Sequence, residues 1–285
     1  SRPPNLNLHA TTQVIEMDEK PTDALRKKRD SSLVVGVEMV KSGMADAFIS
    51  AGNTGACTAA SLLSWRTIPG IRRPAIASPF PNRHGGFILL DAGASPDVEP
   101  ESLLDFALMG RAYAEQVMGR KDPRVHLLNI GEEETKGNIF TKAAYALLAG
   151  HPWFAGNIEG KDMFKHKCDV VVCDAFVGNV VLKTCEGVGE FMLGMIKDNV
   201  PKSGIRRLLA ASLPRILAPL RKAMDYAEYG GSPLLGLNGL TIICHGRSNA
   251  KAIRNAIVLA DRAAKNKLVE TIRQSVCQEK EHLNG

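Results

Sequence analysis

The sequence has no apolar run long enough to cross a bilayer, and its first residues form no apolar stretch of the secretory type. Aromatic residues make up only 5% of the 285 residues, which leaves few stacking surfaces for single-stranded nucleic acid. Zinc-finger, RRM and KH signatures are also missing. These absences exclude a transmembrane chain and nucleic-acid partners, and they predict a cytoplasmic protein.

Metal-binding cysteine spacings such as C-x2-C are absent as well, although the sequence contains six cysteines. Cys168, Cys173 and Cys244 lie in or beside apolar, strand-like runs. Buried, reduced thiols are the expected state of such residues in the cytosol. We therefore expect no disulfide, no metal and no other cofactor.

Acidic residues are absent from residues 199–224, within a chain whose net charge is +6. The apolar residues of this segment recur on one helical face, and basic residues stand between them: Leu209, Leu213, Ile216, Leu217 and Leu220, with Arg206 and Arg207. Such an insertion suits an anionic membrane surface or the groove of a partner, although Pro214 and Pro219 would divide it. A helix pair packed on the core or on a second subunit explains the pattern equally well.

Five short apolar runs end in glycine or polar turns, and helical patterns follow most of them: residues 47–51, 86–91, 125–130, 168–173 and 240–244. This alternation predicts a single α/β domain with a mostly parallel sheet between two layers of helices. Ligands of such folds bind outside the carboxyl ends of the strands. The turns after these runs are therefore the places to look for chemistry.

The first of these turns is Gly52-Asn53-Thr54-Gly55, which opens a helix. Glycines let backbone amides approach an anion, and a helix N-terminus favours negative charge. The tetrapeptide is neither a Walker A motif nor G-x-G-x-x-G, so a plain turn capped by Asn or Thr is the alternative. We treat Gly52, Asn53, Thr54 and Gly55 as candidate phosphate-binding residues.

Two further turns carry polar side chains. In a helix that starts near Asn179, Asn179 and Lys183 share a face and could polarise a carbonyl or hold phosphate. The alternative is a capped helix with a surface pair between Lys183 and Glu186. In the turn from His245 to Asn249, His245 is a candidate catalytic residue or an ordinary satisfied histidine, and Gly246 and Ser248 are candidate phosphate ligands.

Two other features receive plainer interpretations. Cys57 follows the glycine turn and has no His nearby in the sequence, so it is expected to pack in the core. Glu132, Glu133 and Glu134 could bind a metal or act as acid and base, but a helix N-terminus is the more frequent setting for such a run.

Taken together, the segments resemble the PlsX family of phosphate acyltransferases. The matching stretches span the chain in order: Met17-Asp18-Glu19 with Pro21, residues 49–56, 90–94, Asn129–Glu133 with Lys136-Gly137, residues 156–160, 172–179, Tyr229-Gly230-Gly231 and His245-Gly246. Members of the family usually begin with a strand and a Gly-Gly-Asp turn. The resemblance therefore implies that this first βα unit is missing here.

The resemblance implies a fold similar to phosphotransacetylases and isocitrate or isopropylmalate dehydrogenases. It also implies a homodimer that moves a long-chain acyl group from acyl carrier protein to inorganic phosphate, giving acyl phosphate for phospholipid synthesis. Phosphate is itself the nucleophile in that reaction, so no Ser-His-Asp triad is required. An acidic carrier protein suits a chain of net charge +6. The use of the product at a membrane suits the basic segment and predicts peripheral association with the inner face of an anionic membrane.

Three alternatives remain open. A phosphotransacylase acting on short acyl-CoA would share the fold. A decarboxylating NAD-dependent dehydrogenase would need clustered Asp ligands and a nucleotide fingerprint, and neither pattern occurs in the sequence. An inactive membrane-associated scaffold would bind lipid without turnover.

Overall fold

A computed structural model of the chain describes residues 5–199 and 225–284. Apart from Asn199, the basic amphipathic segment 199–224 lies outside these ranges. None of the helices in the described part of the chain combines the length and apolar character needed to cross a membrane.

The described residues form helices and strands that alternate along most of the chain. The first half contains α1 Pro21–Lys27, α2 Ser32–Lys41, β1 Phe48–Ser50, α3 Thr54–Trp65, β2 Ala75–Ile76, β3 Ser78–Phe80, β4 Phe87–Leu90, α4 Glu101–Gln116, β5 Val125–Asn129 and α5 Ile139–Leu148. The second half contains β6 Phe154–Glu159, β7 Val170–Val172, α6 Ala175–Asp198, α7 Tyr226–Tyr229, β8 Ser232–Leu235, β9 Thr241–Ile243, α8 Ala250–Lys265 and α9 Leu268–Asn284.

The strands form two adjoining sheets. The first has the order β1-β9-β8-β2, and the second has the order β3-β4-β7-β5-β6. The pairs β1–β9, β4–β7, β7–β5 and β5–β6 are parallel, whereas β2–β8, β8–β9 and β3–β4 are antiparallel. Ala77 alone separates β2 of the first sheet from β3 of the second; it is fully buried, and its N–H donates to the Pro233 carbonyl at 3.0 Å.

Helices cover both faces of each sheet. On one face, α4 packs on Val170 and Val172, α5 packs on β5 and β6, and α8 packs on Ile242. On the opposite face, α6 packs on Val171 and α3 packs on Ile243. Alternation of side chains along each strand sends neighbouring residues into different cores, which produces three layers.

Helix α4 is the most enclosed helix of the described chain, lying between the second sheet and α9. Its close approach to the sheet depends on Gly110, where a Cβ atom would stand 2.5 Å from Cγ1 of Val170. A side chain at this position would push the helix off the sheet.

The five strands predicted from apolar runs are confirmed, each within one or two residues at its ends. Four strands were missed: the short strands β2, β3 and β8, and the six-residue strand β6. The prediction of a mostly parallel sheet is correct for β1–β9 and for the run β4-β7-β5-β6, whereas every antiparallel pair contains one of the missed strands β2, β3 and β8. The helix predicted to start near Asn179 begins at Ala175, because Oδ1 of Asp174 accepts the N–H of Val177 and caps the first turn.

Candidate active site

The glycine turn after β1 leads directly into α3. Oδ1 of Asn53 accepts the Ala56 N–H at 2.9 Å and caps the helix. The Asn53 amide group donates to the carbonyls of Glu16, Met17 and Glu19, so this side chain fastens the N-terminal segment over the turn. The prediction of an Asn cap is confirmed, and both Oδ1 and Nδ2 of Asn53 form hydrogen bonds within the protein.

The amides that remain at this helix N-terminus belong to Thr54 and Gly55. The first N–H groups of a helix have no intrahelical acceptor, and Asn53 satisfies that of Ala56. Thr54 and Gly55 are both exposed, whereas the N–H of Gly52 donates to Oγ of Ser50 at 3.2 Å. An anion at this turn would therefore meet Thr54 and Gly55 rather than the Asn53 side chain.

The turn after β9 lies beside the first turn because β1 and β9 are parallel neighbours. A Cβ atom at Gly246 would have Cε of Met17 at 3.6 Å and the Ala51 carbonyl oxygen at 3.9 Å as its nearest neighbours. Oγ of Ser248 is buried and has no hydrogen-bond partner among the described residues. A buried hydroxyl in that state is suited to bind a ligand oxygen.

The tautomer of His245 follows from its own turn. Its Nδ1 accepts the N–H of Arg247 at 3.0 Å, so Nδ1 carries no proton and Nε2 carries the hydrogen of the neutral ring. His245 is therefore arranged as a hydrogen-bond donor through Nε2.

The turn after β4 is organised by Asp91, a residue whose role the sequence prediction missed. Its carboxylate is fully buried and accepts four backbone N–H groups at 2.8–2.9 Å, from Ile76, Gly93, Ala94 and Ser95. Burial raises the pKa of the Asp91 carboxyl, and the four N–H groups act in the opposite direction. An Asp followed by small residues at the end of a buried strand is the signal that could have identified it.

Helix α6 crosses directly over this turn. A Cβ atom at Gly178 would stand 1.9 Å from the Asp91 carbonyl oxygen, so only glycine permits this approach. Asn179 is the next residue of the helix. At Gly93, φ is +135° and a Cβ atom would be 2.9 Å from Nδ2 of Asn179, so the Asn179 amide faces the backbone of the turn.

Asn179 and Lys183 line one cavity of about 380 Å³ together with Gly93, Pro96, Ala175, Phe176 and Val180. The prediction that Asn179 and Lys183 share a face is confirmed. Nζ of Lys183 also lies 2.8 Å from Oε2 of Glu186, so the surface pair exists too. The cavity therefore offers an amide and an ammonium group beside apolar walls.

Contacts connect this cavity with the two turns of the first sheet. Leu182 of α6 packs against the apolar cluster that also contains Ala56, Cys57 and Ile243. Arg247 reaches Glu190 of α6, with 3.9 Å between Nη1 and Oε1. The predicted catalytic and phosphate-binding residues thus follow the carboxyl ends of β1, β7 and β9, and the predicted surface residues of 206–220 lie outside the described part of the chain.

The two plainer interpretations have different outcomes. Cys57 is buried, as predicted, and burial raises the pKa of its thiol to about 12, which suits packing rather than nucleophilic attack. The run Glu132–Glu134 is not a helix N-terminus: it lies in the loop after β5, and α5 begins at Ile139 behind its cap Asn138.

Comparison with known proteins identifies the family. Residues 3–271 match the family model described as "Fatty acid synthesis protein". The phosphate acyltransferase of Desulfitobacterium hafniense is 50% identical over 276 residues, covering 96% of this chain and 83% of the relative. The phosphate acyltransferase of Heliobacterium modesticaldum is 51% identical over 272 residues, covering 95% of this chain and 81% of the relative.

Among solved structures, a phosphotransacetylase from Streptococcus pyogenes superposes with a TM-score of 0.50 at 18% identity, covering 90% of this chain and 70% of that one. This similarity confirms the predicted phosphotransacetylase-like α/β fold. The family model and the curated relatives show that the chain is an acyltransferase. The chain belongs to the fatty acid synthesis protein family whose curated members are phosphate acyltransferases, which confirms the resemblance found in the sequence.

Proposed function

We propose that this protein transfers a long-chain fatty acyl group from acyl carrier protein to inorganic phosphate. The main support for the proposal is that hydrogen-bond donors suited to an anion and a cavity with apolar walls both lie at the carboxyl ends of the strands. Thr54, Gly55 and the Ser248 hydroxyl offer donors to phosphate. The cavity beside Phe176 and Val180 offers room for the acyl chain near its reacting carbonyl.

In the proposed mechanism, hydrogen phosphate attacks the thioester carbonyl directly. The amide of Asn179 and the ammonium group of Lys183 stabilise the oxyanion of the tetrahedral intermediate. His245 donates a hydrogen bond from Nε2 to the same negative charge or to phosphate. The C–S bond then breaks, and the proton of hydrogen phosphate ends on the sulfur, giving acyl phosphate and the carrier thiol.

The decisive assay measures the phosphate-dependent release of carrier thiol from palmitoyl acyl carrier protein. We expect Asn179→Ala and Lys183→Ala each to lower turnover by roughly 10²–10³-fold, the usual cost of one oxyanion donor. Lys265→Ala is a matched control, because Lys265 is also an exposed helical lysine paired with an acid, Asp261. Near wild-type turnover of both site variants would refute the assignment of these two residues.

The same assay separates the alternatives. Faster transfer from acetyl-CoA than from palmitoyl acyl carrier protein would indicate a short-chain phosphotransacylase. Binding to anionic liposomes without turnover would indicate a scaffold. The net charge of +6 and the absence of acidic residues from 199–224 support the carrier protein and the membrane surface as partners.

A homodimer is part of the proposal and is supported by α6. Large apolar side chains of this helix are exposed in the single chain: Phe176, Val180, Val188, Phe191, Met192 and Met195. An apolar stripe of this length on one helix is typical of a subunit interface. Sedimentation equilibrium of the wild-type chain and of Phe191→Glu would test it, with dissociation of the variant as the expected result.

A further inference from the structure

Two loops on the second sheet bring together side chains that play no part in the proposed acyl transfer. One loop follows β5 and contains Glu132; the other follows β6 and contains Asp162 and His166. One potential ligand atom from each of these three residues lies within 4.8 Å of the other two. Nε2 of His166 and Oδ1 of Asp162 lie 3.8 Å apart.

The three residues differ in how firmly they are placed. Asp162 is 6% exposed, and its backbone N–H donates to the Glu159 carbonyl at 2.9 Å, so the backbone that carries this buried carboxylate is held in place. Glu132 and His166 are exposed and can adjust their rotamers. A buried carboxylate that is approached by two adjustable ligands is a suitable arrangement for capturing an ion.

A second observation independently indicates a ligand here. Glu132 and His166 line a cavity of about 310 Å³, and His126 and Asn157 line the same cavity. Nδ1 of His126 is buried and has no hydrogen-bond partner in the described parts of the chain. An unsatisfied nitrogen in the wall of the cavity that Glu132 and His166 also line is suited to bind a water or ligand atom held there.

Two lysines stand beside the cluster and have to be considered. Nζ of Lys165 lies 3.3 Å from Oδ1 of Asp162, and Nζ of Lys161 lies 3.8 Å from Oδ2. Both lysine side chains are more than 60% exposed, at 61% and 63%, so their flexible stems can swing into solvent. Both ammonium groups would compete with a metal ion for the Asp162 carboxylate, so removal of one lysine should strengthen metal binding.

We propose that Glu132, Asp162 and His166 bind a divalent transition-metal ion of the zinc class. Imidazole with carboxylates suits Zn²⁺, whereas Mg²⁺ and Ca²⁺ take oxygen ligands. Zinc bonds of about 2.0–2.2 Å place tetrahedral ligand atoms roughly 3.5 Å apart, so the cluster has to contract by about 1 Å. Rotation of the exposed Glu132 and His166 side chains supplies that movement.

Binding of this ion would join the loops after β5 and β6. Strand β6 is already tied to β5 and to the loop after it: Nδ2 of Asn157 donates to the Glu133 carbonyl at 2.9 Å, and Nδ2 of Asn129 donates to Oδ1 of Asn157 at 3.1 Å. The ion would thus reinforce an existing contact at the edge strand β6. This role does not depend on the proposed acyl transfer.

The test is a calorimetric titration of the full-length chain with Zn²⁺ after removal of metals by chelation. The exposed Cys277 is first changed to Ser, so that its thiol cannot bind zinc. We expect one zinc per chain, no displacement by excess Mg²⁺, and affinity losses of ~10–100-fold or more in His166→Gln and Glu132→Gln. Lys165→Met should bind zinc more tightly, because the competing ammonium group is gone.

Glu134→Gln is the matched control. It lies in the same loop and makes the same change of charge as Glu132→Gln, but its carboxylate accepts the Tyr145 hydroxyl outside the cluster. Thermal unfolding without metal verifies that each variant folds, and zinc should raise the melting temperature of wild type and Glu134→Gln but not of His166→Gln. Absence of zinc binding in the Cys277→Ser background would overturn the proposal, as would equal affinities of His166→Gln and wild type.

Discussion

The contact between α6 and the Asp91 turn makes Gly178 the most informative position for a small change. A Cβ atom at Gly178 would lie 1.9 Å from the Asp91 carbonyl oxygen and 3.1 Å from Sγ of Cys173. The first distance is roughly 1.5 Å shorter than van der Waals contact, and its partner is a backbone atom that cannot rotate away. Gly178→Ala must therefore lift the first turn of α6 from β4.

Two opposing effects determine how much Gly178→Ala changes the free energy of unfolding. Replacing a helical glycine by alanine stabilises by about 1 kcal/mol, while forcing extra atoms into a packed core costs about 1–3 kcal/mol and occasionally more. A clash with backbone belongs at the upper end of that range. We expect Gly178→Ala to lower the free energy of unfolding by about 2 kcal/mol and to lower acyl transfer by roughly 10²-fold, because Asn179 and Lys183 move with the helix.

Gly187→Ala is the control on the same helix. A Cβ atom there would meet nothing within 4 Å, so only the helix-propensity gain applies. We expect this variant to be up to about 1 kcal/mol more stable than wild type, with unchanged turnover. Urea unfolding and the carrier-thiol assay measure both quantities. If Gly178→Ala were as stable and active as Gly187→Ala, the helix–turn contact would not have the role described here.

Two further predictions follow from buried polar side chains. Asn53→Ala removes the cap of α3 and the donor to three carbonyls, so we expect a loss of roughly 2–3 kcal/mol in urea unfolding and faster proteolysis within residues 13–19. Unchanged cleavage would show that the Asn53 hydrogen bonds do not hold the N-terminal segment in place. Burial lowers the pKa of His126 to about 4, and the positive charge of Arg124 adds to this effect. Between about pH 6.5 and 4, His126 is therefore neutral in the folded protein, whereas the same residue takes up a proton in the unfolded chain. Wild type should therefore lose about 3 kcal/mol more than His126→Gln between pH 6.5 and 4, measured by urea unfolding in EDTA, and parallel pH profiles would refute this.

Much of the fold could be predicted from the sequence because the central strands are apolar runs with clear turns at their ends. The missed strands gave weaker signals. β3 and β8 contain Pro79 and Pro233, and β2 has only two residues, so pattern reasoning assigned them to loops. β6 contains Gly156 and Asn157 in its middle, and both residue types are depleted in strands.

The candidate site could also be predicted only in part. The polar residues after β1, β7 and β9 were found because parallel strands end at one edge of a sheet. Asp91 was missed because its partners are backbone N–H groups, which leave no trace in the sequence. The Glu132 cluster was missed because Asp162 and His166 reach Glu132 only through the pairing of β5 with β6.

The junction between the two sheets limits how the molecule can admit a bulky substrate. Hinge-bending enzymes open by changing the backbone angles of a few residues at the ends of elements. Ala77 occupies such a place but is fully buried, with its N–H bound to the neighbouring strand. Opening at this junction would break that hydrogen bond and expose core, so we expect the two sheets to move as one frame. Entry of the long-chain thioester proposed above would then rely on movements of side chains and helices at the edge of the frame, and turnover should be insensitive to crosslinks that hold the two sheets together.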